Sequence, residues 1–446
     1  MKQAQRNIQV ILFYNRPNRY SFNALAGALE ASLLVRHLSV EFPRSREELL
    51  KAVVRASRSG TLTVVGLSFF TTQLWEMQSL FEELAPYRTE ELLLVAGGPH
   101  PSGEPPGTTL RLGADVVIRG EGEAAFVELL TALLEGRSWQ EVPGLFFRDE
   151  DGQMRSTGRR AWIDLDGYPP FSAHYHKFGP VEISRGCPFT CSYCQTPYLS
   201  GGRMRHRSVP AILEAVEQLK RAGLWNFRAV TPNAFAYGSP DGCSVHLPRL
   251  EALLEALSRA LRPRGKIYFG TFPSEVRPEH VTEETVRLVK RYADNDNLIL
   301  GAQTGSPRLL EQCRRRHTVE DVLAAVERIR SAGLGANVDF IFGLPGETDE
   351  DVELSIRLMR KLVVMGARIH AHSFLPLPQT PFGRFAPRPD VAEVGRKIAR
   401  LFPGAVYGDW LKQARLAQQI FRTLNRSSRE SPVPAGDAHS SELVRR

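Results

Sequence analysis

Long apolar runs are missing from this sequence of 446 residues. No stretch approaches the roughly 20 apolar residues of a membrane-spanning helix, so no transmembrane segment is expected. The start leads into a predicted strand instead of a signal-peptide core, and we expect a cytoplasmic protein. Hydrophobic residues at 42% and charged residues at 24% are typical of globular domains, and the length suggests about three of them.

A concentrated basic surface is also missing, although the formal net charge is +8 and the isoelectric point is near 9.3. The basic residues are dispersed, with short clusters such as those at 159–160, 203–207 and 314–316. Nucleic-acid binding requires a basic patch on one face, which a dispersed excess does not predict. We therefore expect no nucleic-acid partner.

Cysteine is scarce, but three of the five cysteines fall within one short stretch. Cys187, Cys191 and Cys194 follow the spacing C-x3-C-x2-C. Thiolates suit iron–sulfur clusters, and a run of three cysteines leaves one iron of a four-iron cluster for a small molecule to coordinate. The alternatives are cysteines that merely pack and a structural zinc site, which His206 could complete, although no second cysteine pair stands nearby. The clustering favours an iron–sulfur site, and close-spaced thiols indicate a reducing compartment.

The segment around these cysteines resembles the first strand and cluster loop of the radical SAM superfamily. Residues 181–186 supply the strand and the Arg-Gly pair before the cysteine run. The resemblance implies a [4Fe–4S] cluster on the three cysteines, with S-adenosylmethionine (SAM) chelating the fourth iron. It also implies cleavage of SAM to a 5′-deoxyadenosyl radical, with an electron donor such as flavodoxin or ferredoxin. Tyr193 stands where relatives have an aromatic residue whose backbone contacts adenine, although a packing aromatic would fit the same pattern.

The first 120 or so residues alternate apolar strands with helices. This pattern predicts an α/β fold with an open doubly wound sheet, whose ligand lies beyond the carboxyl ends of the strands. The predicted strands are 8–14, 62–67, 92–96 and 114–118, and the predicted helices are 22–35 and 72–85.

Loops at these strand ends resemble those of the cobalamin-binding domain that precedes many radical SAM domains. The resemblance rests on Gly-Gly-Pro-His-Pro at 97–101 and on residues 113–117, which lead to Gly-Glu-Gly-Glu at 120–123. Glycines there let the backbone approach a bulky ligand closely. A flavodoxin-like domain with another ligand, or with none, is the alternative. The cobalamin contacts that the resemblance implies are Asn15, Ser68, Thr71, Gly97, Gly98, His100 and Glu121.

One feature of many cobalamin domains is missing. The motif Asp-x-His-x-x-Gly, whose histidine binds cobalt, does not occur, and Asp437-Ala438-His439 lacks the following glycine. The lower face of cobalt is therefore expected to be open or water-bound. His100 is a possible contact, but we expect it to serve the nucleotide loop.

From residue 181 a strand-then-helix unit repeats six times, with capping signals at Thr318 and Thr348. The repeat predicts a partial (β/α)6 barrel with its chemistry at the carboxyl ends of the strands. The predicted strands are 181–184, 225–230, 266–269, 297–302, 336–342 and 368–374.

The radical SAM resemblance continues through this span, at 301–306, 316–318 and 338–348. By position it implies SAM contacts from five residues at strand ends, although two of them, Asn233 and Gln303, could equally be capping or loop residues. These five are Thr231, Asn233, Gln303, Ser306 and Gly343. Relatives often have acidic residues after the second strand, where this chain has Thr-Pro-Asn at 231–233. His370 and His372 alternate on the sixth strand and share a face, either as substrate contacts or as buried, hydrogen-bonded histidines.

The patterns divide the chain into five segments. They are a cobalamin-binding Rossmann-like domain at 1–125, a connector with a hairpin at 126–179, the radical SAM partial barrel at 180–376, a helical C-terminal extension at 377–426 and a disordered tail at 427–446.

The resemblance implies a cobalamin-dependent radical SAM methyltransferase that acts on an unactivated carbon through a 5′-deoxyadenosyl radical and methylcobalamin. Its cofactors would be a [4Fe–4S] cluster, SAM and cobalamin. A rearrangement or cyclisation without methyl transfer is one alternative, and a cobalamin-binding sensor or scaffold with a structural cluster is another. Methylthiolation of tRNA is excluded because those relatives carry a second cluster on three more cysteines, and only Cys243 and Cys313 remain here. The sequence specifies neither the small-molecule or lipid-like substrate nor the catalytic residues.

Overall fold

The computed structural model describes residues 7–104 and 107–430, with side chains as far as residue 425. The chain forms two compact units, of which the first ends at Gly179 and the second runs from Pro180 to Arg426. The last helix reaches Glu430, and the rest of the tail predicted at 427–446 lies outside the described residues.

A seven-stranded sheet forms the centre of the first unit. Its strands are β1 (Ile8–Leu12), β2 (Leu38–Glu41), β3 (Thr63–Ser68), β4 (Leu92–Gly97), β5 (Val116–Ile118), β6 (Leu145–Arg148) and β7 (Met154–Ser156). They lie in the order β2-β1-β3-β4-β5-β6-β7, with β1 to β5 parallel and the last two strands antiparallel. The order of strand addition reverses between β1 and β3, which is where doubly wound sheets open a crevice for ligands.

Helices cover both faces of this sheet. They are α1 (Arg19–Ala31), α2 (Arg46–Ser57), α3 (Leu74–Leu84), α4 (Pro99–Gly103), α5 (Thr108–Leu112) and α6 (Glu123–Glu135). Phe22 and Phe126 belong to the core on one face, and Leu49 and Phe81 belong to the core on the other. All six residues of β3 are buried between these layers, as expected of a central parallel strand. The predicted doubly wound α/β domain is confirmed.

Two features extend the sheet beyond the sequence prediction. β2 was not predicted, because it is a four-residue edge strand with no fully buried position. The helix α2 that follows it was not predicted either. The predicted hairpin is present as β6 and β7, and β6 pairs with β5. The hairpin of the connector therefore completes the sheet of the first unit.

The second unit contains nine short strands. They are β8 (Val181–Glu182), β9 (Ser184–Arg185), β10 (Arg205–His206), β11 (Phe227–Val230), β12 (Ile267–Tyr268), β13 (Asn297–Gln303), β14 (Gly335–Phe342), β15 (Arg368–Ser373) and β16 (Val406–Tyr407). Parallel sheets form in the orders β12-β11-β8 and β13-β14-β15-β16, and β9 pairs antiparallel with β10. A parallel bridge between Val276 and Leu300 links the segment after β12 to β13. The six predicted strands thus form the partial barrel, and β16 adds a strand from the C-terminal extension.

Helices follow the barrel strands. They are α7 (Thr196–Ser200), α8 (Val209–Arg221), α9 (Leu247–Leu261), α10 (Glu283–Tyr292), α11 (Pro307–Gln312), α12 (Val319–Ser331), α13 (Asp349–Val364), α14 (Val391–Leu401) and α15 (Trp410–Glu430). The predicted capping boxes are confirmed at Thr318 with Asp321 and at Thr348 with Asp351, where side chain and backbone bond reciprocally.

Candidate functional site

The three clustered cysteines lie in the loop that follows β9. Gly186 introduces this loop with φ +86°, and a Cβ atom at this position would lie 2.3 Å from the backbone oxygen of Arg203. Only glycine fits this turn without strain. The backbone N–H of Cys187 then donates to the Gly201 oxygen over 3.0 Å, which fixes where the loop begins.

The other end of the loop is tied to the segment after α11. Ser192 donates its backbone N–H to the Cys313 oxygen and its hydroxyl to the Gln312 oxygen, each over 3.0 Å. Within the loop, the Cys194 N–H donates to the Cys191 oxygen over 3.0 Å. Hydrogen bonds therefore hold the cysteine loop at its start and between its second and third cysteines.

Cys191 is buried, Cys187 and Cys194 are partly buried, and the three thiols influence one another. Burial, together with the charges of neighbouring cysteines, raises the pKa of Cys187 to about 12, and the same two causes raise that of Cys194. The three sulfurs nevertheless do not all lie within 4.8 Å of one another, because they form no such group among the described Cys, His, Asp and Glu side chains. A single zinc ion would bring its sulfur ligands to within roughly 4 Å. The wider spread fits a polynuclear iron–sulfur cluster.

His206 is not free to complete a zinc site. Its Nδ1 lies 2.8 Å from the Ser184 hydroxyl, and its Nε2 lies 2.9 Å from the Ser239 backbone oxygen. Burial lowers the pKa of His206, which favours the neutral ring. Both ring nitrogens thus serve to join β9 and β10 to the loop after β11.

Two buried arginines accompany the cysteine loop, and sequence reasoning missed both. Arg315 directs Nη1 to within 3.8 Å of the Cys191 sulfur and donates from Nη2 to the Gly301 oxygen over 2.5 Å. Arg277 places its guanidinium carbon 3.6 Å from the centre of the Phe189 ring. The sequence signalled Arg315 only as one of three consecutive arginines.

Tyr193 lies beside the same loop. Its ring packs against the apolar cluster of Leu309, Leu344 and Phe374, and burial raises its pKa well above the usual value. The ring therefore has a packing role. The predicted contact with adenine would involve its backbone and stays a prediction.

After β11, the two predicted SAM contacts are engaged within the protein. Asn233 directs Nδ2 to His280 Nδ1 over 2.8 Å and accepts the Arg277 N–H over 3.3 Å. Thr231 Oγ1 lies 3.4 Å from both the backbone nitrogen and the backbone oxygen of Asn233. These bonds shape the strand-end turn, and both residues are buried.

At the ends of β13 and β14, the remaining three predicted SAM contacts differ in character. Ser306 donates to Asp351 Oδ1 over 2.6 Å and caps α11. Gly343 has φ +82°, and its N–H donates to Glu347 Oε2 over 2.7 Å. Gln303 has φ +71°, and a Cβ atom on Gly301 would lie 2.2 Å from its Nε2. Unlike the Ser306 hydroxyl, the Gln303 side chain is held only by close packing against residues such as Gly301.

Two further titratable residues near Arg315 were not predicted. Burial raises the pKa of Glu275 to about 7, and Arg315 opposes this shift. Burial and the Arg315 charge lower the pKa of His317 to about 2, so that ring is neutral. The sequence marked His317 only as part of the motif at 316–318, and no pattern marked Glu275.

In the first unit, the ends of β3 and β4 contain a buried hydroxyl and a tight glycine. Ser68 Oγ has no hydrogen-bond partner among the described residues. Gly98 has φ +91°, and a Cβ atom there would lie 2.5 Å from that oxygen. A buried polar atom without a partner is costly unless a ligand satisfies it. These residues, together with Gly97 at the end of β4, fit a ligand at the carboxyl edge of the sheet.

His100 is fully buried beside this edge. Its Nδ1 lies 3.1 Å from Thr71 Oγ1, its Nε2 lies 3.0 Å from Glu104 Oε2, and its ring stacks on Phe69. Nδ1 is therefore engaged by Thr71, whereas Nε2 makes no hydrogen bond to a described residue although it lies close to Glu104. The histidine connects the loop after β3 to α4.

The last two predicted cobalamin contacts also have partners within the first unit. Asn15 Oδ1 accepts the backbone N–H and the side-chain amide of Asn18, over 3.2 and 2.9 Å. Glu121 Oε2 accepts the N–H of Ile163 over 3.0 Å. They shape the loops after β1 and β5.

Among the helices that the structure describes, none has the length and apolarity to cross a membrane.

Two protein families match the sequence in separate stretches. Residues 10–130 match the B12 binding domain, and residues 181–359 match the radical SAM superfamily. The first match covers the parallel sheet of the first unit, and the second covers the cysteine loop and the first five barrel strands. A radical SAM domain binds a [4Fe–4S] cluster and SAM, and a B12-binding domain binds cobalamin. These three are the cofactors of the chain.

Similar proteins include an uncharacterized protein of Methanopyrus kandleri, which is 27% identical over 75% of this chain and 70% of its own length. A protein of Pyrococcus horikoshii described as an uncharacterized methyltransferase is 28% identical over 67% of this chain and 64% of its own length. The radical SAM methyltransferase TsrM of Kitasatospora setae, solved with cobalamin and a [4Fe–4S] cluster, shares the fold with a TM-score of 0.64. It is 20% identical, over 85% of this chain and 77% of TsrM.

The cysteine loop on a partial barrel and the doubly wound domain before it agree with both family matches. The chain therefore contains a B12-binding domain followed by a radical SAM domain.

Proposed function

We propose that this protein is a cobalamin-dependent radical SAM methyltransferase that methylates an unactivated carbon atom of its substrate. The observation that carries the proposal is the presence in one chain of a B12-binding domain and a loop of three clustered cysteines in a radical SAM domain. The Pyrococcus relative described as a methyltransferase and the fold shared with TsrM support methyl transfer.

The chain contributes positively charged arginines near the cysteine loop and residues at strand ends that would contact SAM. Arg315 and Arg277 put positive charge near the thiolates, which favours uptake of an electron by a bound cluster. We propose that Gln303 and the backbone of Gly343 hold SAM, since both lie at the carboxyl ends of barrel strands. When bound, the cluster and SAM supply a carbon radical, and cobalamin supplies the methyl carrier.

The proposal includes a low-potential electron donor such as flavodoxin or ferredoxin. It also includes a reducing compartment, the cytoplasm, because all five cysteines are free and disulfides would destroy the loop. Purification in air would then lower the iron content, and anaerobic purification would preserve it.

Product analysis of the anaerobically reconstituted protein tests the proposal. With cobalamin, a reductant and methyl-labelled SAM, we expect 5′-deoxyadenosine and S-adenosylhomocysteine to form together. Cys191→Ala should abolish 5′-deoxyadenosine formation without unfolding the chain. Cys313→Ala is the matched control, because Cys313 is also buried but packs in the apolar cluster with Leu309 and Leu344. It should retain both products.

Other outcomes separate the alternatives. Production of 5′-deoxyadenosine without S-adenosylhomocysteine, in the presence of the true substrate, would favour a rearrangement or cyclisation. An unchanged rate of SAM cleavage in Cys191→Ala would favour a cobalamin-binding sensor or scaffold with a structural cluster.

A further inference from the structure

Three metal-ligating side chains lie together on two neighbouring strands of the barrel, away from the cysteine loop in sequence. β14 and β15 pair in parallel, and Asp339 stands directly opposite His370. His372 follows two residues later and projects from the same face of β15. Burial alternates along both strands, and these three side chains are on the less buried face, opposite the face that packs against helices. They therefore face the inside of the partial barrel.

The distances between their polar atoms are short. His370 Nδ1 lies 3.1 Å from Asp339 Oδ1 and 3.1 Å from His372 Nε2. All three ligand atoms lie within 4.8 Å of one another, and they form the one such group among the described Cys, His, Asp and Glu. Ligands about 2.0–2.2 Å from a zinc ion stand about 3.0–3.5 Å from each other. The observed separations match that spacing.

A single hydrogen on His370 Nδ1 would have to be shared between Asp339 Oδ1 and His372 Nε2. The Nδ1 atom of a neutral imidazole has either one hydrogen or one lone pair in the plane of the ring. If His370 Nδ1 carries a hydrogen that points to Asp339, it offers nothing to an N–H at His372 Nε2. If it accepts from His372, its lone pair faces the carboxylate oxygen of Asp339. A cation bound by all three ligand atoms would satisfy them together without such sharing.

We propose that Asp339, His370 and His372 bind one divalent transition-metal ion, with Zn²⁺ as the representative ion, inside the barrel of the second unit. Two imidazoles and one carboxylate suit zinc or iron(II), and three protein ligands leave coordination positions open. An oxygen or nitrogen atom of a small molecule would occupy an open position. The site does not depend on methyl transfer and stands whether or not the proposed function is correct.

Neighbouring residues hold the ligands in place. The Tyr407 ring stacks on His370 with a 5° angle between planes and 4.6 Å between ring centres. Gly408, with φ +127°, lets its backbone pass close to the same ring, because a Cβ atom there would lie 3.0 Å from His370 Cδ2. The His370 side chain retains 32% of its exposure, which gives an ion access. A fixed ring with an open approach is typical of metal ligands.

Gln413 lies next to His372, and replacing it allows a variant that should bind the metal more tightly. Its Oε1 accepts the Ser373 N–H over 2.9 Å, so its Nε2 faces His372 Nδ1 over 3.4 Å. Metal binding through His372 Nε2 puts the ring hydrogen on Nδ1, where an acceptor is needed. Gln413→Glu keeps an oxygen for Ser373 and offers a second oxygen to Nδ1. This substitution should therefore strengthen metal binding.

The experiment uses the full-length protein with its cluster reconstituted. Zinc and iron per chain are measured by mass spectrometry, and zinc affinity is measured by competition with a chromogenic chelator. We expect one zinc per chain beyond the cluster iron. Asp339→Asn and His372→Ala should each weaken zinc binding ten- to a hundredfold while iron content stays constant. Gln413→Glu should tighten zinc binding about tenfold.

The control is His174→Gln, which removes an exposed histidine of the first unit and should leave zinc affinity unchanged. Equal zinc binding in the wild type, Asp339→Asn and His372→Ala would overturn the proposal. So would the absence of stoichiometric zinc, which would leave the two histidines as a hydrogen-bonded pair. Loss of folding cannot imitate the tighter binding expected of Gln413→Glu, and weaker binding in that variant would also contradict the site.

Discussion

Arg315 and Cys191 approach each other across 124 residues of sequence, with Nη1 of the arginine 3.8 Å from the thiol sulfur. The arginine is 5% exposed, and its other terminal nitrogen donates to the Gly301 oxygen. A buried cation at a cluster ligand stabilises the more negative, reduced state of the cluster. This contact therefore links the end of β13 to the redox behaviour of the cysteine loop.

Replacing Arg315 should make the cluster harder to reduce. A unit charge about 4 Å away interacts with about 4 kcal/mol at an effective dielectric constant near 20, so Arg315→Gln should lower the midpoint potential by on the order of 100 mV. The measurement is a redox titration followed by electron paramagnetic resonance. Arg315→Lys keeps the charge and should shift the potential much less. Equal potentials in the two variants would show that charge at this position has no influence.

Gly186 should be indispensable to the cysteine loop. Gly186→Ala costs about 1–2 kcal/mol for the left-handed backbone, and its Cβ would also meet the Arg203 oxygen at 2.3 Å. We expect iron per chain to fall steeply and the melting temperature to drop. Gly223→Ala is the matched control, since Gly223 has φ +77° but a Cβ there meets nothing within 4 Å. Similar iron loss in both variants would contradict a specific role for the turn.

Glu347 should make stability depend on pH. Burial raises the pKa of its carboxyl group from 4.5 to about 7. The folded state therefore binds this proton more tightly than the unfolded state, so the free energy of unfolding falls as pH rises from about 4.5 to 7 and stays level above. Glu347→Gln should remove that fall. At pH 8 the variant should be more stable than the wild type, by up to about 3 kcal/mol, and near pH 4.5 the two should be alike.

Thermal melts across this pH range measure the difference. Glu350→Gln changes an exposed glutamate of the same helix start and should leave the pH dependence as in the wild type. A wild-type melting temperature that does not fall between pH 5 and 7, relative to Glu347→Gln, would mean that the carboxyl group ionises freely in the folded protein.

Local patterns in the sequence predicted most of the fold. Apolar runs such as 92–96 identified buried parallel strands, and Thr318 and Thr348 identified helix starts, because these signals depend on neighbours a few residues away. β2, β10 and β16 were missed. They are short edge strands, and their existence depends on pairing with β1, β9 and β15, which no local signal encodes.

The candidate sites were less predictable, because they depend on contacts between distant segments. The three cysteines were found since their spacing lies within one loop. Asn233 looked like a cofactor contact, but its amide bonds to His280 and to the backbone of Arg277. The approach of Asp339 to His370 follows from the register between β14 and β15, which the sequence left open. His370 and His372 could be placed on one face by alternation, but the partner that completes the group could not.

Ser68 should contribute to cobalamin binding without stabilising the empty domain. Its hydroxyl is buried and has no partner among the described residues, next to the tight turn at Gly98. If bound cobalamin satisfies this hydroxyl, Ser68→Ala removes one hydrogen bond of about 0.5–1.5 kcal/mol and weakens cobalamin two- to tenfold. The empty domain should lose no stability, because an unsatisfied buried hydroxyl is removed.

Thr109→Val is the control for Ser68→Ala, because it separates the effect on cobalamin affinity from the effect on the stability of the empty domain. Thr109 also has a buried hydroxyl without a partner in the described part of the first unit, but it lies in α5 and not at a strand end that is expected to contact cobalamin. Absorbance titration with cobalamin should show unchanged affinity for this variant, while both variants should melt at or above the wild-type temperature without ligand. Equal affinities for Ser68→Ala and Thr109→Val would place cobalamin away from Ser68, because a hydroxyl that touches the ligand cannot be removed without loss of affinity.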